Sequence, residues 1–259
     1  MAELTGKRAL VCGASAGIGR ATAVALAKQG AQVIALARRL ERLELLKKEI
    51  EDFGGLSPIL IVADLDQREN AVSLVKQQLQ EGFIHILINN SGGPKGGPLQ
   101  KAEVSEFEIA FNRHVLCAHR FVQTLLPGME AQGYGRIINI ISTSVYEPIP
   151  NLGVSNTIRG AMASWAKSLS RELAPGITIN NVLPGFTDTE RLDSLKSARA
   201  VASGTTPEAV ERAWLAQVPE GRLAQPQETA GAIAWLAGPQ ASYIRGISLA
   251  VDGGRLKSI

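Results

Sequence analysis

Short apolar runs alternate with amphipathic stretches along the whole chain. Seven runs are rich in β-branched residues, and most are apolar at consecutive positions, as in IHILI and RIINII. Continuous apolar runs are typical of strands covered on both faces, as in a parallel sheet. The predicted strands are residues 8–12, 32–37, 59–63, 84–88, 136–141, 177–182 and 246–251.

The segments between these strands repeat apolar positions every three to four residues, which is the period of an α-helix. The alternation predicts a three-layer, doubly wound α/β fold of the Rossmann type, with a seven-stranded, mostly parallel sheet. No linker or shift in composition divides the chain, so one domain over residues 1–259 is expected. The predicted helices are residues 18–29, 40–50, 68–80, 104–129, 156–173 and 228–236.

Two segments interrupt this alternation. Residues 91–98, SGGPKGGP, hold four glycines and two prolines directly after a predicted strand. Residues 187–219 form a long insertion between a strand and a helix, which we interpret as a substrate lid. Ligands of open parallel sheets bind outside the carboxyl ends of the strands, so a ligand site is expected between these loops.

Composition excludes several classes of protein. The formal charge of +3 over 259 residues is too small to predict nucleic-acid or membrane binding. No secretory signal and no apolar run of about 18 residues is found, so a cytoplasmic location is expected. Cys12 and Cys117 form no disulfide framework, and the three histidines show no metal-ligand spacing. No metal site is predicted.

A glycine-rich turn joins the first predicted strand to the first predicted helix. It reads CGASAGIG and places Gly13, Gly17 and Gly19 around Ser15 and Ile18. Residues without a β-carbon let the backbone approach a pyrophosphate, which the amino end of a helix attracts. The turn therefore predicts a dinucleotide site, although three glycines also suit a plain tight turn.

Basic residues follow the second predicted strand, at the position where NAD-selective sites carry an acidic residue for the ribose 2′-hydroxyl. Arg38 and Arg39 stand there instead, so NADP(H) is favoured over NAD(H). The alternative is that both arginines open a solvated helix. Asp64, followed by Leu65 after the third strand, is a candidate acceptor for the adenine amino group or a helix cap.

Four motifs resemble the short-chain dehydrogenase/reductase family, in order and over essentially the whole chain. The glycine turn is similar to the family's TGxxxGxG, with Cys12 in place of threonine. The sequences NNSG at 89–92, PGFT at 184–187 and SYIRGISLAVDGG at 242–254 resemble its remaining motifs, the first of which reads NNAG in the family. The general resemblance is to 3-oxoacyl-acyl-carrier-protein reductase-like members. It implies cofactor contacts by Asn90, Gly92, Pro184, Gly185 and, at the nicotinamide amide, Thr187.

The catalytic positions depart from the family's Asn, Ser, Tyr and Lys. Ser142 matches the serine, but Ser155 stands at the tyrosine position and Arg159 at the lysine position. The asparagine position holds His114. The resemblance therefore makes Ser142, Ser155, Arg159 and His114 the candidate catalytic residues.

These replacements change the available chemistry. A serine hydroxyl does not titrate near neutral pH, so Ser155 is a poor general acid. Arg159 stays charged and can bind ribose hydroxyls, but it cannot relay a proton. His114 is either a replacement acid or a side chain that pins its helix to a backbone carbonyl. Tyr146 lies beyond Ser142 at the wrong spacing for the catalytic tyrosine and suggests packing or a substrate contact.

The sequence thus predicts an NADP(H)-dependent oxidoreductase with non-standard catalytic residues that acts on a carbonyl or alcohol. The alternatives are a cofactor-binding protein without reductase activity, serving as a sensor or assembly partner, and a non-redox enzyme on the same fold. Lys95 and Arg191 border the two long loops, where they either meet an anionic substrate or are simply solvated. Apolar positions around helices 104–129 and 156–173, together with the resemblance, predict a homodimer or homotetramer.

Overall fold

A seven-stranded parallel sheet forms the centre of the computed structural model, which describes residues 3–258. Its order is β3-β2-β1-β4-β5-β6-β7, and every neighbouring pair is parallel. The predicted fold is confirmed, and the strand bounds differ from prediction by at most two residues. The strands are β1 (Arg8–Cys12), β2 (Gln32–Ala37), β3 (Ile59–Val62), β4 (Ile86–Asn89), β5 (Gly135–Ile140), β6 (Ile177–Pro184) and β7 (Ser248–Val251).

Nine α-helices connect these strands in the described part of the chain. All six predicted helices are present, with ends shifted by up to four residues apart from one interrupted segment. None of the described helices is long and apolar enough to cross a membrane. The helices are α1 (Gly17–Lys28), α2 (Leu40–Asp52), α3 (Arg68–Gln78), α4 (Val104–Phe111), α5 (Cys117–Gln132), α6 (Gly153–Leu169), α7 (Glu190–Ala202), α8 (Pro207–Leu215) and α9 (Pro226–Ala237).

The apolar runs of the strands bury both faces of the sheet. One face packs against α1, α2 and α9, where Leu26, Leu46 and Ile233 are fully buried. The other face packs against α3, α5 and α6, with Phe121 and Leu125 buried beneath it. This explains why the strands are apolar at consecutive positions rather than alternately.

The helix predicted over residues 104–129 is interrupted. A π-helical turn at Asn112–Leu116 separates α4 from α5. The extra residue in such a turn changes the helical phase, so His114 and Val115 are both buried although they are consecutive. Apolar periodicity alone did not reveal this interruption.

Two helices occupy the insertion predicted as a lid. Thr189 caps α7 and Thr206 caps α8, each through its side-chain oxygen, and Pro207 opens α8. Trp214 of α8 is buried against Phe186, which stacks on it with ring centroids 5.0 Å apart. These local signals were present in the sequence, but we had predicted no helix there.

Successive strands are added on one side of β1 up to β3 and on its other side from β4 onward, so the strand order reverses at β1, which lies between β2 and β4. Loops that leave β1 and β4 therefore diverge to opposite faces of the sheet and open a crevice at the carboxyl ends. The glycine turn, the 91–98 loop and the two lid helices all meet at this edge.

Candidate functional site

A cleft of about 880 Å³ runs along the carboxyl ends of the strands and beneath the lid helices. Loops that follow β1, β2, β3, β4, β5 and β6 all contribute residues to its walls. Nearly all of the predicted site residues line it. They are Gly13, Ser15, Gly17, Ile18, Arg38, Arg39, Asp64, Leu65, Asn90, Gly92, Ser142, Ser155, Arg159, Pro184, Gly185 and Thr187.

The glycine turn is packed too tightly for side chains. A β-carbon on Gly13 would lie 2.6 Å from Nδ2 of Asn90, and the φ of +63° at Gly13 also favours glycine. Gly19 lies beneath the cleft wall, where a β-carbon would overlap the carbonyl oxygen of Gly13. No side chain caps the amino end of α1, so its first N–H groups remain available to a phosphate.

The end of β2 carries two exposed guanidinium groups. The Arg38 side chain is 71% exposed, and its Nη1 lies 3.7 Å from Oδ2 of Asp64. Arg39 is exposed at the start of α2. Asp64 is not the cap of α3, because that helix begins after Gln67. The Asp64 carboxylate instead accepts a hydrogen bond from the backbone N–H of Asp66, at 3.0 Å.

The PGFT and VDGG motifs contact each other. A β-carbon on Gly185 would lie 2.7 Å from Cα of Asp252, so the close approach of these two segments requires glycine. The N–H of Gly185 donates to the carbonyl of Val251 at 2.9 Å. The motifs thus align β6 with β7 and set the position of Thr187, which is buried at the cleft wall.

Three predicted catalytic positions meet in the deeper part of the cleft. Ser142 ends the loop after β5, and its Oγ accepts a hydrogen bond from the N–H of Ser144 at 3.1 Å. Ser155 and Arg159 lie one turn apart on α6 and both face the cleft. Nη1 of Arg159 donates to the carbonyl of Ile140 at 2.9 Å, which fixes the guanidinium.

Arg159 is a buried cation without a carboxylate partner among the described residues. It is 8% exposed, and burial lowers its pKa to about 10, with a further contribution from the positive charge of Arg191. Arg191 is exposed over part of its surface, and the partial burial of its side chain in the cleft also lowers its pKa. Both groups remain protonated near neutral pH, so this end of the cleft is positively charged.

His114 does not line the cleft. It is 5% exposed and lies behind Ser91, whose Oγ is 2.7 Å from its Nδ1. Its Nε2 has no hydrogen-bond partner, and the His114 side chain lines a separate cavity of about 20 Å³. Burial, followed by the positive charges of Arg159 and Arg113, lowers the His114 pKa well below its usual value. The imidazole is therefore neutral near pH 7.

No tyrosine lines the cleft, and all three tyrosines lie within the described residues. Tyr134 donates its hydroxyl to the carbonyl of Ala237, and Tyr243 is fully exposed. Tyr146 is 52% exposed and lies outside the cleft wall, so the substrate contact considered for it is not supported. A tyrosine from elsewhere in this chain does not replace the missing acid.

Several residues of the site were not singled out from the sequence. Ser91 lines both the cleft and the small cavity, and the motif NNSG did contain a signal, because the family has alanine there. Arg255 donates to Oγ1 of Thr143 at 2.9 Å and lies over the ring of Phe186. That contact joins the end of the chain to the lid across a long sequence separation, which no local pattern reveals.

The lid is connected to the sheet at its base. The N–H of Asp188 donates to the carbonyl of Ala224, and the N–H of Ala224 donates to the carbonyl of Phe186, both at 2.9 Å. At the opposite side of the cleft, Nη2 of Arg191 donates to the carbonyl of Pro94 at 2.7 Å. The lid helices thus bridge the glycine-rich loop and the carboxyl end of β6.

Comparison with known proteins gives consistent matches over nearly the whole chain. The family model described as enoyl-(acyl carrier protein) reductase matches residues 13–255. The 3-oxoacyl-[acyl-carrier-protein] reductase FabG of Vibrio cholerae is 34% identical over 255 residues, 97% of this chain and 98% of the relative. The NADPH-dependent reductase BacG of Bacillus subtilis is 30% identical over 98% of this chain and 99% of its own length.

Solved structures show the same architecture. The NADPH-dependent reductase YwfH, involved in bacilysin biosynthesis, superposes with a TM-score of 0.91 at 29% identity and covers 98% of this chain and 99% of its own. The L-sorbose reductase of Gluconobacter frateurii, solved with NADPH and L-sorbose, has a TM-score of 0.92 at 27% identity. Its match covers 100% of this chain and 99% of the sorbose reductase chain.

Proposed function

This chain belongs to the short-chain dehydrogenase/reductase family, and on that premise we propose that it is an NADP(H)-dependent oxidoreductase that interconverts a carbonyl and an alcohol with non-standard catalytic residues. One observation carries the proposal: a single cleft joins the glycine turn at Gly13 to Ser142 after β5 and Ser155 on α6. A dinucleotide along the turn would place its reactive end against these hydroxyls. Small-molecule carbonyl chemistry fits this arrangement.

The residues of the turn fit a dinucleotide. Gly13 and Gly19 leave no space for side chains, and the uncapped amino end of α1 presents free N–H groups to a pyrophosphate. Asn90 supports the turn from below by donating to the carbonyl of Cys12 at 3.2 Å. When bound, NADPH supplies a hydride to the carbonyl carbon. Arg159 would hold the nicotinamide ribose through its free N–H groups.

Preference for NADP(H) is proposed from Arg38 and Arg39. Both are exposed at the cleft rim, and they, rather than an acidic residue, directly follow the last residue of β2. Titration of the intrinsic fluorescence should give tighter binding of NADPH than of NADH, and Arg38→Ala with Arg39→Ala should remove that difference. Arg171→Ala, an exposed change outside the cleft, is the matched control. Equal affinity of the unmodified protein for both cofactors would refute the preference.

The proton is proposed to reach the substrate through Ser91. In reduction, the carbonyl oxygen takes the hydroxyl proton of Ser91 while Ser91 takes the Nδ1 proton of His114 and Nε2 takes a proton from water, so the imidazole stays neutral and only changes tautomer. The cavity that His114 lines has room for one such water. The hydroxide left behind is neutralised by a proton from bulk solvent, which is the net source of the alcohol proton. His114 thus acts behind the cleft wall, whereas Ser142 orients the carbonyl oxygen inside it and Ser155 lies beside the reacting carbonyl.

Substitutions test this relay separately from cofactor binding. Ser91→Ala and His114→Gln should each lower kcat by about a hundredfold, with the NADPH affinity unchanged. The double variant should be no worse than either single one, because both residues belong to one pathway. Turnover by His114→Gln at the unmodified rate, on any ketone or aldehyde that proves active, would exclude the relay.

A cofactor-binding protein without reductase activity is the second candidate. The absence of a tyrosine from the described cleft favours it, because Ser155 offers no titrating hydroxyl. A panel of ketones, aldehydes and alcohols followed at the nicotinamide absorbance separates the two. Tight NADPH binding with no turnover on the panel would favour the sensor or assembly role.

A homodimer or homotetramer is proposed through α4, α5 and α6. Phe121, Leu125 and Met129 of the predicted apolar surface are buried within the chain. Val104 and Ile109, in contrast, are exposed at 72% and 52% of their surface. Exposed apolar groups on one helix suit a second copy of the chain. Light scattering that gives the mass of a monomer would reject the assembly.

A further inference from the structure

We propose that the cleft contains an anion-binding subsite, formed by Arg159, Arg191 and Ser155, that selects carbonyl substrates carrying a carboxylate next to the reacting carbon. The three side chains converge on one point beside Gly93. A β-carbon placed on Gly93 would lie 3.5 Å from Nη2 of Arg191, 3.8 Å from Nη2 of Arg159 and 3.9 Å from Oγ of Ser155. The substrate class rests on the proposed function, whereas the anion subsite itself does not.

The charge at this point is uncompensated. No described carboxylate pairs with Arg159 or Arg191, and the charge that acts most on Arg159 is the other guanidinium. The acidic residue next to Arg191 is Glu190, whose carboxylate is turned to Arg42 on α2 at 2.5 Å. A buried cation is costly without a partner, and a second cation nearby raises that cost. An anionic ligand between the two guanidiniums would remove that energetic cost.

Both guanidiniums are held in place before any ligand binds. Arg159 donates to the carbonyls of Ile140 and Ser91, at 2.9 and 3.4 Å, and Arg191 donates to the carbonyl of Pro94 at 2.7 Å. A guanidinium has five N–H groups, so each keeps donors free. Two such groups and a hydroxyl match the planar, two-oxygen geometry of a carboxylate. Because Ser155 is one of the three, the carboxylate lies beside the reacting carbonyl.

The test compares acids with their uncharged esters. Pyruvate, benzoylformate and 2-oxobutanoate are assayed with NADPH alongside their methyl esters, in the unmodified protein and in Arg191→Gln. Arg191 is exposed, so its loss should not impair folding. We expect the KM of at least one acid to rise about tenfold to a hundredfold in Arg191→Gln, with its ester and the NADPH affinity unchanged. Arg212→Gln, an exposed change on α8, is the matched control.

A second variant fills the point of convergence without removing a charge. The β-carbon of Gly93→Ala would be in ordinary contact with its neighbours, so the variant should fold, yet its methyl group would occupy the position of the anion. It should weaken acids more than esters. Calorimetric titration of the NADP⁺-loaded protein with the same acids measures the subsite even if the protein has no redox turnover.

The outcomes are distinct. Acid binding that depends on Arg191 and Gly93, with no turnover, supports the subsite and refutes the proposed reductase. Turnover in which acids and esters are equivalent, or no acid binding by calorimetry, overturns the subsite and leaves the reductase proposal standing. A loss of NADPH affinity in Arg191→Gln that matches the loss of acid binding also overturns it, because Arg191 is then a cofactor contact.

Discussion

Gly19→Ala tests whether the packing of the glycine turn, rather than its flexibility, maintains the phosphate site. The new β-carbon would lie 2.6 Å from Nδ2 of Asn90 and would overlap the carbonyl oxygen of Gly13. Neither atom is free to move, because the Asn90 amide already donates to the carbonyl of Cys12 and the Gly13 oxygen belongs to the backbone. Overpacking of this kind costs about 1–3 kcal/mol. Because the β-carbon would overlap a backbone atom, the upper part of that range applies, about 2–3 kcal/mol. Alanine recovers about 1 kcal/mol of helix propensity, so the net loss is about 1–2 kcal/mol.

That loss should lower the Tm by about 2–8 °C in a domain of this size. The displaced amino end of α1 should also lose NADPH affinity by about tenfold or more, as expected for one charge-assisted hydrogen bond. Differential scanning fluorimetry with and without NADPH measures both effects.

The matched control is Gly231→Ala, an exposed glycine inside α9 with no atom within 4 Å of the added carbon. It should raise the free energy of unfolding by about 0.5–1 kcal/mol and leave NADPH binding unchanged. Gly19→Ala protein that melts at the unmodified temperature and binds NADPH equally well would refute the packing argument.

Three further predictions concern the catalytic centre and the core. The pKa of His114 in the folded chain lies below its unfolded value of about 6.5, so the unfolded chain binds more protons below that pH. The free energy of unfolding should therefore fall on acidification, by up to about 1.4 kcal/mol per pH unit from this group. His114→Gln should flatten that fall in urea titrations between pH 7 and 5, whereas exposed His119→Gln should not, and equal slopes would contradict the buried neutral imidazole. Burial raises the pKa of the Cys117 thiol to about 12, so its thiolate fraction at pH 8 is about a thousandfold lower than in the unfolded chain. Mass spectrometry should therefore find iodoacetamide adducts at Cys117 only after unfolding. Ser155→Tyr combined with Arg159→Lys should produce ordinary ketone reductase activity, followed at the nicotinamide absorbance; a variant that folds and binds NADPH but stays inactive would count against the assigned register.

Much of the fold and the cofactor end of the site could be predicted because each depends on local signals. Continuous apolar runs specify strands buried on both faces, so β1 and β2 were predicted with their observed bounds. The glycines of the turn and the arginines after β2 each directly follow a strand, so the strand alone brings them to the cleft. Their neighbours along the sequence are also their neighbours at the cleft.

The lid helices and the interrupted helix were missed for different reasons. The threonine caps at Thr189 and Thr206 were legible in the sequence, but the apolar stripe of α7 is weak, since only Ala200 is buried along it. The π-helical turn at Asn112–Leu116 lies between two helices that are each apolar on one side, so the periodicity predicted one continuous helix over 104–129.

The sequence by itself determined the order of strands and helices and the glycine turn, and it led to the prediction that Ser155 and Arg159 stand at the usual tyrosine and lysine positions. Only the tertiary structure decided that His114 lies behind Ser91 instead of in the cleft, and that Arg159 and Arg191 converge beside Gly93. The physical reason is distance along the chain. Arg191 meets the 91–98 loop across almost one hundred residues, and such a contact depends on how the lid packs over the sheet, which no local pattern of side chains encodes.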